Sequence, residues 1–168
     1  MRFAWAPRGV QAKVWISGRN AKRVLFGAVN VRTGHLVLLC RERQRAPDFC
    51  AFLREVRRRY PGRHVALLLD GDTSHTAQAS RRLAAELDIS LLWLPTRSPH
   101  LNPMDHLWRD VKQNVCSNRQ DALIDLLVAR VFRHMQHLSP RTILRKGGVL
   151  SRRFWLRSAL SKYFCPPT

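Results

Sequence analysis

The sequence predicts an α/β fold in which helices cover both faces of a mixed β-sheet. Two observations predict it: two early apolar runs are joined by a short turn, and the later segments alternate between strand and helix patterns. A short turn joins antiparallel strands, whereas strands separated by a helix pair in parallel. A sheet that contains both kinds of pairing is mixed, and the connecting helices must pack on its faces.

The two early runs indicate a β-hairpin. Residues 23–31 and 35–40 are apolar strands, and Thr33-Gly34 supplies the turn between them. A short loop that contains glycine is typical of hairpins. Further upstream, residues 10–16 also have the pattern of a strand.

The later elements follow from apolar periodicity and from Pro and Gly punctuation. They are a helix over 48–60, a strand over 65–69, a helix over 74–87, a strand over 90–93, a helix that starts at Asn102-Pro103 and a helix over 121–135. Asn102 is the expected N-cap of the helix that starts there, with Pro103 as its first residue. The apolar face of that helix comprises Met104, Leu107, Trp108, Val111 and Val115. Trp108 is therefore predicted to lie in the core rather than to stack on a base.

A chain of 168 residues is long enough to bury a core, and a single domain is the default expectation. Ser139-Pro140 and Gly147-Gly148 punctuate the sequence after the last long helix. We predict a domain over residues 1–138 and a basic C-terminal extension over residues 139–168.

The charge of the chain predicts a nucleic-acid partner. There are 30 Lys+Arg against 11 Asp+Glu, a formal net charge of +19, and only five of the basic residues are Lys. Such an excess repels itself unless a polyanion is near. Arginine suits phosphate because its planar guanidinium can bond two oxygens at once. The base composition of the gene is the alternative explanation for so many arginines.

The four cysteines have no zinc-binding spacing, and we expect them to be free thiols in a reducing compartment. The first residues lack the apolar core of a signal peptide. No apolar run approaches the roughly 20 residues that span a bilayer. We therefore expect a cytoplasmic protein with no membrane association.

Two aspartates are the candidate catalytic residues. Asp70 directly follows the strand over 65–69, and Asp105 is the third residue of the helix that Asn102 caps. Strand ends and helix starts meet at one edge of such a sheet, so we expect the carboxylates to converge. Each also has a structural explanation: Asp-Gly-Asp is typical of turns, and an acid at the third helical position can bond back to the cap. His75 has three explanations: it caps a helix, it contacts a phosphate, or it is an ordinary residue of a helix start. Asp72 has two, an accessory metal ligand or a turn residue, and the turn is favoured.

Two segments, 70–75 (DGDTSH) and 94–108 (LPTRSPHLNPMDHLW), resemble the catalytic core of mariner-like DDE transposases, closest to the bacterial insertion-sequence branch. Residues 5–9 (WAPRG) and 17–20 (SGRN) resemble the same branch, so the resemblance covers residues 4–135. It implies a ribonuclease-H-like fold and DNA as the partner, with a homo-oligomer assembled on the DNA. It also implies DNA cleavage and strand transfer that depend on two divalent metal ions, Mg²⁺ or Mn²⁺.

By this resemblance, Asp70 is the second and Asp105 the third acid of a metal-binding triad, with His75, Asn102 and Trp108 as accessory residues. Phosphodiester cleavage needs an activated attacking oxygen and a stabilised leaving oxygen, and two metal ions supply both. Mg²⁺ prefers oxygen ligands and keeps some water, so a few carboxylates suffice. Asp105 replaces the usual Glu of this branch, and the residue after Asp70 is Gly in place of the usual Asn.

The first acid of the triad is the larger departure. In the family it lies on a strand before the segment that begins at Trp5, and no Asp or Glu precedes Glu42 in this sequence. We therefore expect an N-terminally truncated ribonuclease-H-like domain that lacks its first strand and has weak or no activity. The alternative function is a non-catalytic, basic DNA-binding remnant. The motif over residues 94–108 disfavours a third explanation, that the chain is an unrelated basic protein.

Overall fold

The computed structural model describes residues 21–117, 121 and 123–157. Its elements in chain order are β1 (Val24–Val29), β2 (Leu36–Arg41), α1 (Ala46–Arg59), β3 (Val65–Leu69), α2 (Thr73–Thr76), α3 (Gln78–Glu86), β4 (Ile89–Trp93), α4 (Pro103–Val111), α5 (Ile124–His137) and α6 (Pro140–Lys146). A 3₁₀ turn over Pro99–Leu101 precedes α4, and a π-helical segment over Lys112–Cys116 extends it. The strand predicted over residues 10–16 lies outside the described residues.

The predicted hairpin is confirmed, and β1 and β2 pair antiparallel over all six residues of each strand. In the connecting loop, the side-chain oxygen of Asn30 accepts hydrogen bonds from the N–H groups of Arg32 and Thr33, at 2.9 and 3.1 Å. Gly34 has a φ of +74°, and a Cβ there would lie 2.3 Å from the backbone oxygen of Pro140. The backbone conformation and the lack of space both require glycine at this position.

β3 and β4 form a parallel pair, as a helical connection requires. The single helix predicted over 74–87 is wrong, because α2 and α3 are separated at Ala77, whose ψ of 142° is extended. Asp72 caps α2 by accepting a hydrogen bond from the Ser74 N–H at 2.8 Å. The buried hydroxyl of Ser80 donates to the Ser74 carbonyl at 2.6 Å. In a continuous helix the Ser74 carbonyl would accept a backbone hydrogen bond. The Ser80 hydroxyl bonds to it instead, and this stabilises the break between α2 and α3.

The α/β class is confirmed, but the sheet differs from the expectation. Among the described residues the hairpin and the parallel pair are two separate two-stranded sheets, not one continuous mixed sheet. No described strand pairs with both β1 and β3, so the hydrogen-bond ladder does not continue from one pair to the other.

Helices cover both faces of the hairpin, as predicted. Alternate residues of a strand point to opposite faces. One face contributes Phe26 and Val37 to a core shared with α1, α3, β3 and β4. The opposite face packs against a second core formed by α4, α5 and α6, through Leu25, Val29, Leu36 and Leu38.

Helix α4 packs on β1 at a glycine. A Cβ at Gly27 would lie 2.6 Å from Cε of Met104 and 2.7 Å from Cζ2 of Trp108. Met104, Leu107 and Val111 are buried, and Trp108 is half-buried against the same core. The predicted apolar face of α4 is therefore confirmed, and the missing side chain at Gly27 sets how closely the helix approaches the strand.

The C-terminal helices belong to the second core. α5 begins at Ile124, three residues later than predicted. α6 packs against α4, and its Ile143 is 4% exposed. Ser139 is the N-cap of α6, since its hydroxyl accepts a hydrogen bond from the Thr142 N–H at 3.2 Å. The Ser-Pro pair near the expected domain boundary at residue 138 thus separates two packed helices, and the predicted extension begins with a helix of the core.

A charged network ties α4 to α5 and α6. The Asp110 carboxylate, 13% exposed, accepts hydrogen bonds from Nε2 of His134 at 3.0 Å and from the ammonium group of Lys146. Asn114 donates to the same carboxylate at 2.8 Å. Burial by itself raises the pKa of Asp110, but the hydrogen bonds from Lys146 and His134 outweigh it and hold the pKa below its usual value.

None of the described helices is long and apolar enough to cross a membrane.

We expect Gly27→Ala to lower the free energy of unfolding by about 1–3 kcal/mol, because the new methyl group must displace Met104 and Trp108. Urea unfolding followed by circular dichroism measures this change. Gly71→Ala is the matched control, since a Cβ at Gly71 meets no atom within 4 Å. It should change the free energy of unfolding by less than about 0.5 kcal/mol. Equal losses in the two variants would contradict the close packing of α4 on β1.

We expect Asp110→Asn to cost about 1–3 kcal/mol at pH 7, because Lys146 and His134 lose a charged acceptor. The pKa of Asp110 is lowered in the folded protein. The carboxylate therefore stabilises the fold above its unfolded-state pKa of about 4, and this contribution is lost as the pH falls through the folded-state pKa. The difference between wild type and variant should shrink between about pH 5 and pH 3. Unfolding by urea across this range measures it, and a difference that does not depend on pH would exclude the charge as its cause.

Candidate active site

Asp70 lies where the two parallel strands end. In the register of the pair, Leu69 is opposite Trp93, and the Leu94 N–H donates to the Leu69 carbonyl at 2.9 Å. Both strands therefore leave the sheet at the same edge. The side chain of Asp70 is 69% exposed at that edge.

His75 holds the carboxylate of Asp70. Its Nδ1 lies 2.9 Å from Oδ1 of Asp70 and 3.3 Å from the backbone oxygen of the same residue. Both oxygens are acceptors when the carboxylate is ionised, so Nδ1 carries a proton. The imidazole also packs on the ring of Phe49, with centroids 4.4 Å apart, and the side chain is 15% exposed. His75 therefore contacts the candidate acid and does not cap the helix, since Asp72 has that role.

Asp105 approaches from the start of α4. The side chain of Asn102 accepts a hydrogen bond from the Met104 N–H at 3.0 Å, so Asn102 is the N-cap and Pro103 the first helical residue, as predicted. Asp105 does not bond back to the cap, and within the described residues its carboxylate accepts no hydrogen bond. The capping explanation for an acid at this position is therefore not realised.

The two carboxylates interact electrostatically. Partial burial raises the pKa of Asp105, and the negative charge of Asp70 raises it further, whereas the positive charges of His106, Lys112 and Arg109 lower it. A half-buried acid near a second acid is unfavourable unless a cation balances them. The charge of Asp70 is therefore within electrostatic reach of Asp105.

His106 and Trp108 stabilise the start and the packing of α4. Nε2 of His106 lies 3.0 Å from the carbonyl oxygen of His100, and this contact braces the 3₁₀ turn before α4. Trp108 holds α4 against β1. In the part of the chain that the structure describes, no group of three His, Cys, Asp or Glu side chains is placed to hold a metal ion.

Two contacts near the site had no signal in the sequence. Phe49 occupies an ordinary apolar position of α1, yet its ring supports His75. Trp155 donates from Nε1 to the Leu101 carbonyl at 2.9 Å, from 54 positions further along the chain. Local periodicity does not report contacts between distant segments.

Comparison with known proteins identifies the family. The model of the DDE superfamily endonucleases matches residues 1–126. The chain belongs to the DDE superfamily endonucleases. The mariner-like resemblance seen in the two motifs is therefore confirmed.

The relatives of this DDE endonuclease include proteins of insertion and transposable elements. The insertion element IS630 uncharacterized 39 kDa protein of Shigella sonnei is 24% identical over 138 residues, which cover 81% of this chain and 40% of that protein. The transposable element Tcb2 transposase of Caenorhabditis briggsae is 35% identical over 54 residues, 32% of this chain and 20% of that one. The chain thus spans less than half the length of either relative.

Solved structures of the Mos1 transposase share the fold of this DDE endonuclease. The Mos1 paired-end complex with the left transposon end superposes with a TM-score of 0.67 at 19% identity, over 91% of this chain and 48% of that one. The catalytic domain of the Mos1 mariner transposase gives a TM-score of 0.65 at 20% identity, over 92% of this chain and 81% of that one. The fold is therefore the ribonuclease-H-like fold of transposase catalytic domains.

In this DDE endonuclease, Asn102→Ala should lower the free energy of unfolding by about 0.5–2 kcal/mol, because the Met104 N–H loses its acceptor. Asn102→Asp is the control, since aspartate caps helices about as well as asparagine. Chemical unfolding of the three proteins measures the effect. If both variants lose the same stability, the cap does not fix the start of α4.

Proposed function

We propose that this chain is part of a DNA transposase in which Asp70 and Asp105 bind divalent metal ions for strand cleavage and strand transfer. The proposal is carried by the environment of Asp105, whose pKa is raised by partial burial and further by the negative charge of Asp70. Asp70 is mostly exposed, and Asp105 has no hydrogen-bond partner among the described residues. Both acids therefore have oxygens available to a ligand.

The donor set fits Mg²⁺ or Mn²⁺. Carboxylate oxygens suit both ions, and Mg²⁺ keeps several water molecules when few protein groups bind it. A cation between the acids would offset the repulsion between their charges. When bound, such ions activate the attacking oxygen and stabilise the leaving oxygen of a phosphodiester.

The surrounding residues position the two acids in advance. His75 holds one oxygen of Asp70 and leaves the other free. Asn102 fixes the residue at which α4 begins, and Trp108 fixes the distance of α4 from β1. Ligands held on packed elements need little reorganisation when a metal ion binds.

The partner in this proposal is DNA. The formal net charge of +19 favours a polyanion, and the Mos1 paired-end complex contains a transposon end. We propose that this chain also acts on DNA as a homo-oligomer, in the cytoplasm and without membrane association.

We further propose that the 168-residue chain joins DNA weakly by itself. The described residues supply two acids, whereas the family resemblance implies three. The second candidate function, a non-catalytic DNA-binding remnant, is favoured by the same observation together with the basic charge.

Metal binding tests the site directly. We expect Asp70→Asn and Asp105→Asn each to weaken Mn²⁺ binding by at least about tenfold, measured by electron paramagnetic resonance of free Mn²⁺. Asp72→Asn is the matched control, because it removes the same charge nearby and leaves a residue that still caps α2. Unchanged Mn²⁺ binding in both site variants would overturn the proposed site.

A DNA assay separates the two candidate functions. In a transposase, Mn²⁺-dependent nicking of DNA ends should be weak in the wild type and absent from Asp70→Asn and Asp105→Asn. In a remnant, the wild type would not nick DNA, and the same variants would bind DNA as well or slightly better because a negative charge is gone. Robust joining by the wild-type chain would contradict the proposal of weak activity.

A further inference from the structure

A short basic segment follows α6 and lies against the start of α4. Its turns are closed by backbone hydrogen bonds, from the Phe154 N–H to the Ser151 carbonyl at 3.1 Å and from the Arg157 N–H to the Phe154 carbonyl at 3.0 Å. We call residues 151–157 the C-terminal arm. The family match ends at residue 126, so the arm lies outside it.

One side-chain contact fixes the position of this segment, and Gly147, which precedes the arm, lies near the start of α4. A Cβ on Gly147 would lie 3.4 Å from the Cβ of Pro103, the first residue of α4. The Trp155 side chain donates from Nε1 to the Leu101 carbonyl at 2.9 Å. Leu101 and Pro103 flank the cap residue, four and two positions before Asp105. The arm is therefore held beside the loop that leads into Asp105.

The arm carries positive charge that no described acid neutralises. Arg152, Arg153 and Arg157 are exposed, and none forms an ion pair with a described residue. No Asp or Glu follows Asp125 in the sequence. The nearest preceding cation, Lys146, differs in that it is paired within the network of α4.

We propose that the C-terminal arm binds phosphates of the DNA strand that approaches Asp105. The inference rests on the proposed function, because the site must act on DNA. Three guanidinium groups in seven residues can form charge-assisted, bidentate bonds with phosphate oxygens. The Trp155 hydrogen bond holds the arm beside the loop that leads into Asp105, so the arm orients the strand as well as attracting it.

The test compares two variants that lose the same charge. Affinity of the full chain for a fluorescein-labelled duplex of arbitrary sequence is measured by anisotropy across a salt series without metal. In Arg152→Gln/Arg153→Gln/Arg157→Gln, the slope of log K against log salt should become less steep by about 2–3. Each lost phosphate contact reduces the magnitude of this slope by about 0.9.

The control is Arg54→Gln/Arg59→Gln/Arg63→Gln, which removes three exposed arginines from α1 and the turn after it. Its slope should change by less than about 1, since Arg59 and Arg63 precede the start of β3, whereas Asp70 follows its end. The same change in slope for both triple variants would overturn the proposal, because it would show that only total charge matters.

The anchor is tested by Trp155→Phe, which keeps an aromatic ring and removes the donor to Leu101. It should weaken DNA binding about fivefold in the wild-type background, and by less than about twofold when the arm arginines are already replaced. Equal effects in both backgrounds would show that Trp155 does not act through the arm, and would overturn its role as the anchor.

The Asp70→Asn and Asp105→Asn variants separate the two proposals. If the triple variants behave alike while Mn²⁺ binding still depends on the two acids, the arm proposal alone fails. If the triple variants differ as expected while Mn²⁺ binding ignores the two acids, the metal site alone fails.

Discussion

The close contact between α4 and β1 is the constraint on which the candidate site depends. Gly27 leaves the space that Met104 and Trp108 fill, and Asp105 lies between these two residues on the same helix. The packing that fixes the helix therefore also fixes the acid. The charged network around Asp110 ties the other end of α4 to α5 and α6. Because packed interiors respond to a change of a single methyl group, a shift at Gly27 moves Asp105 as well.

The environment of Asp105 is unfavourable for a charged carboxylate. Asp105 is half-buried, has no donor among the described residues and feels the negative charge of Asp70. Asp110, five residues further along the same helix, accepts hydrogen bonds from Lys146 and His134 and has a lowered pKa. Two aspartates of one helix thus have opposite environments. Unfavourable placement of a carboxylate in a cleft is typical of functional sites, whereas full pairing is typical of structural ones.

Features that depend on neighbours in the sequence could be predicted, and features that depend on distant contacts could not. The start of α4 follows from Asn102-Pro103, and the strand Val65–Leu69 follows from one apolar run. The places of Asp70 after a strand and of Asp105 in the first turn of a helix also followed from local patterns. The break at Ala77 did not, because it depends on a hydroxyl that reaches back along the chain. Whether the two strand pairs form one sheet also depends on long-range pairing, which apolar patterns do not specify.

The contact between Gly34 and Pro140 has a consequence for the order in which the protein is made. These residues are 106 positions apart, and the hairpin that ends at Arg41 is synthesised long before α6. The ribosome adds about 5–20 residues per second, so a hundred residues take about 5–20 seconds. Until α4 and α5 are synthesised, the face of the hairpin that packs on them lacks these two partners. A truncated nascent chain that stops before α4 exposes this apolar face to chaperones and to other chains, which makes the second core the vulnerable half of the molecule during translation.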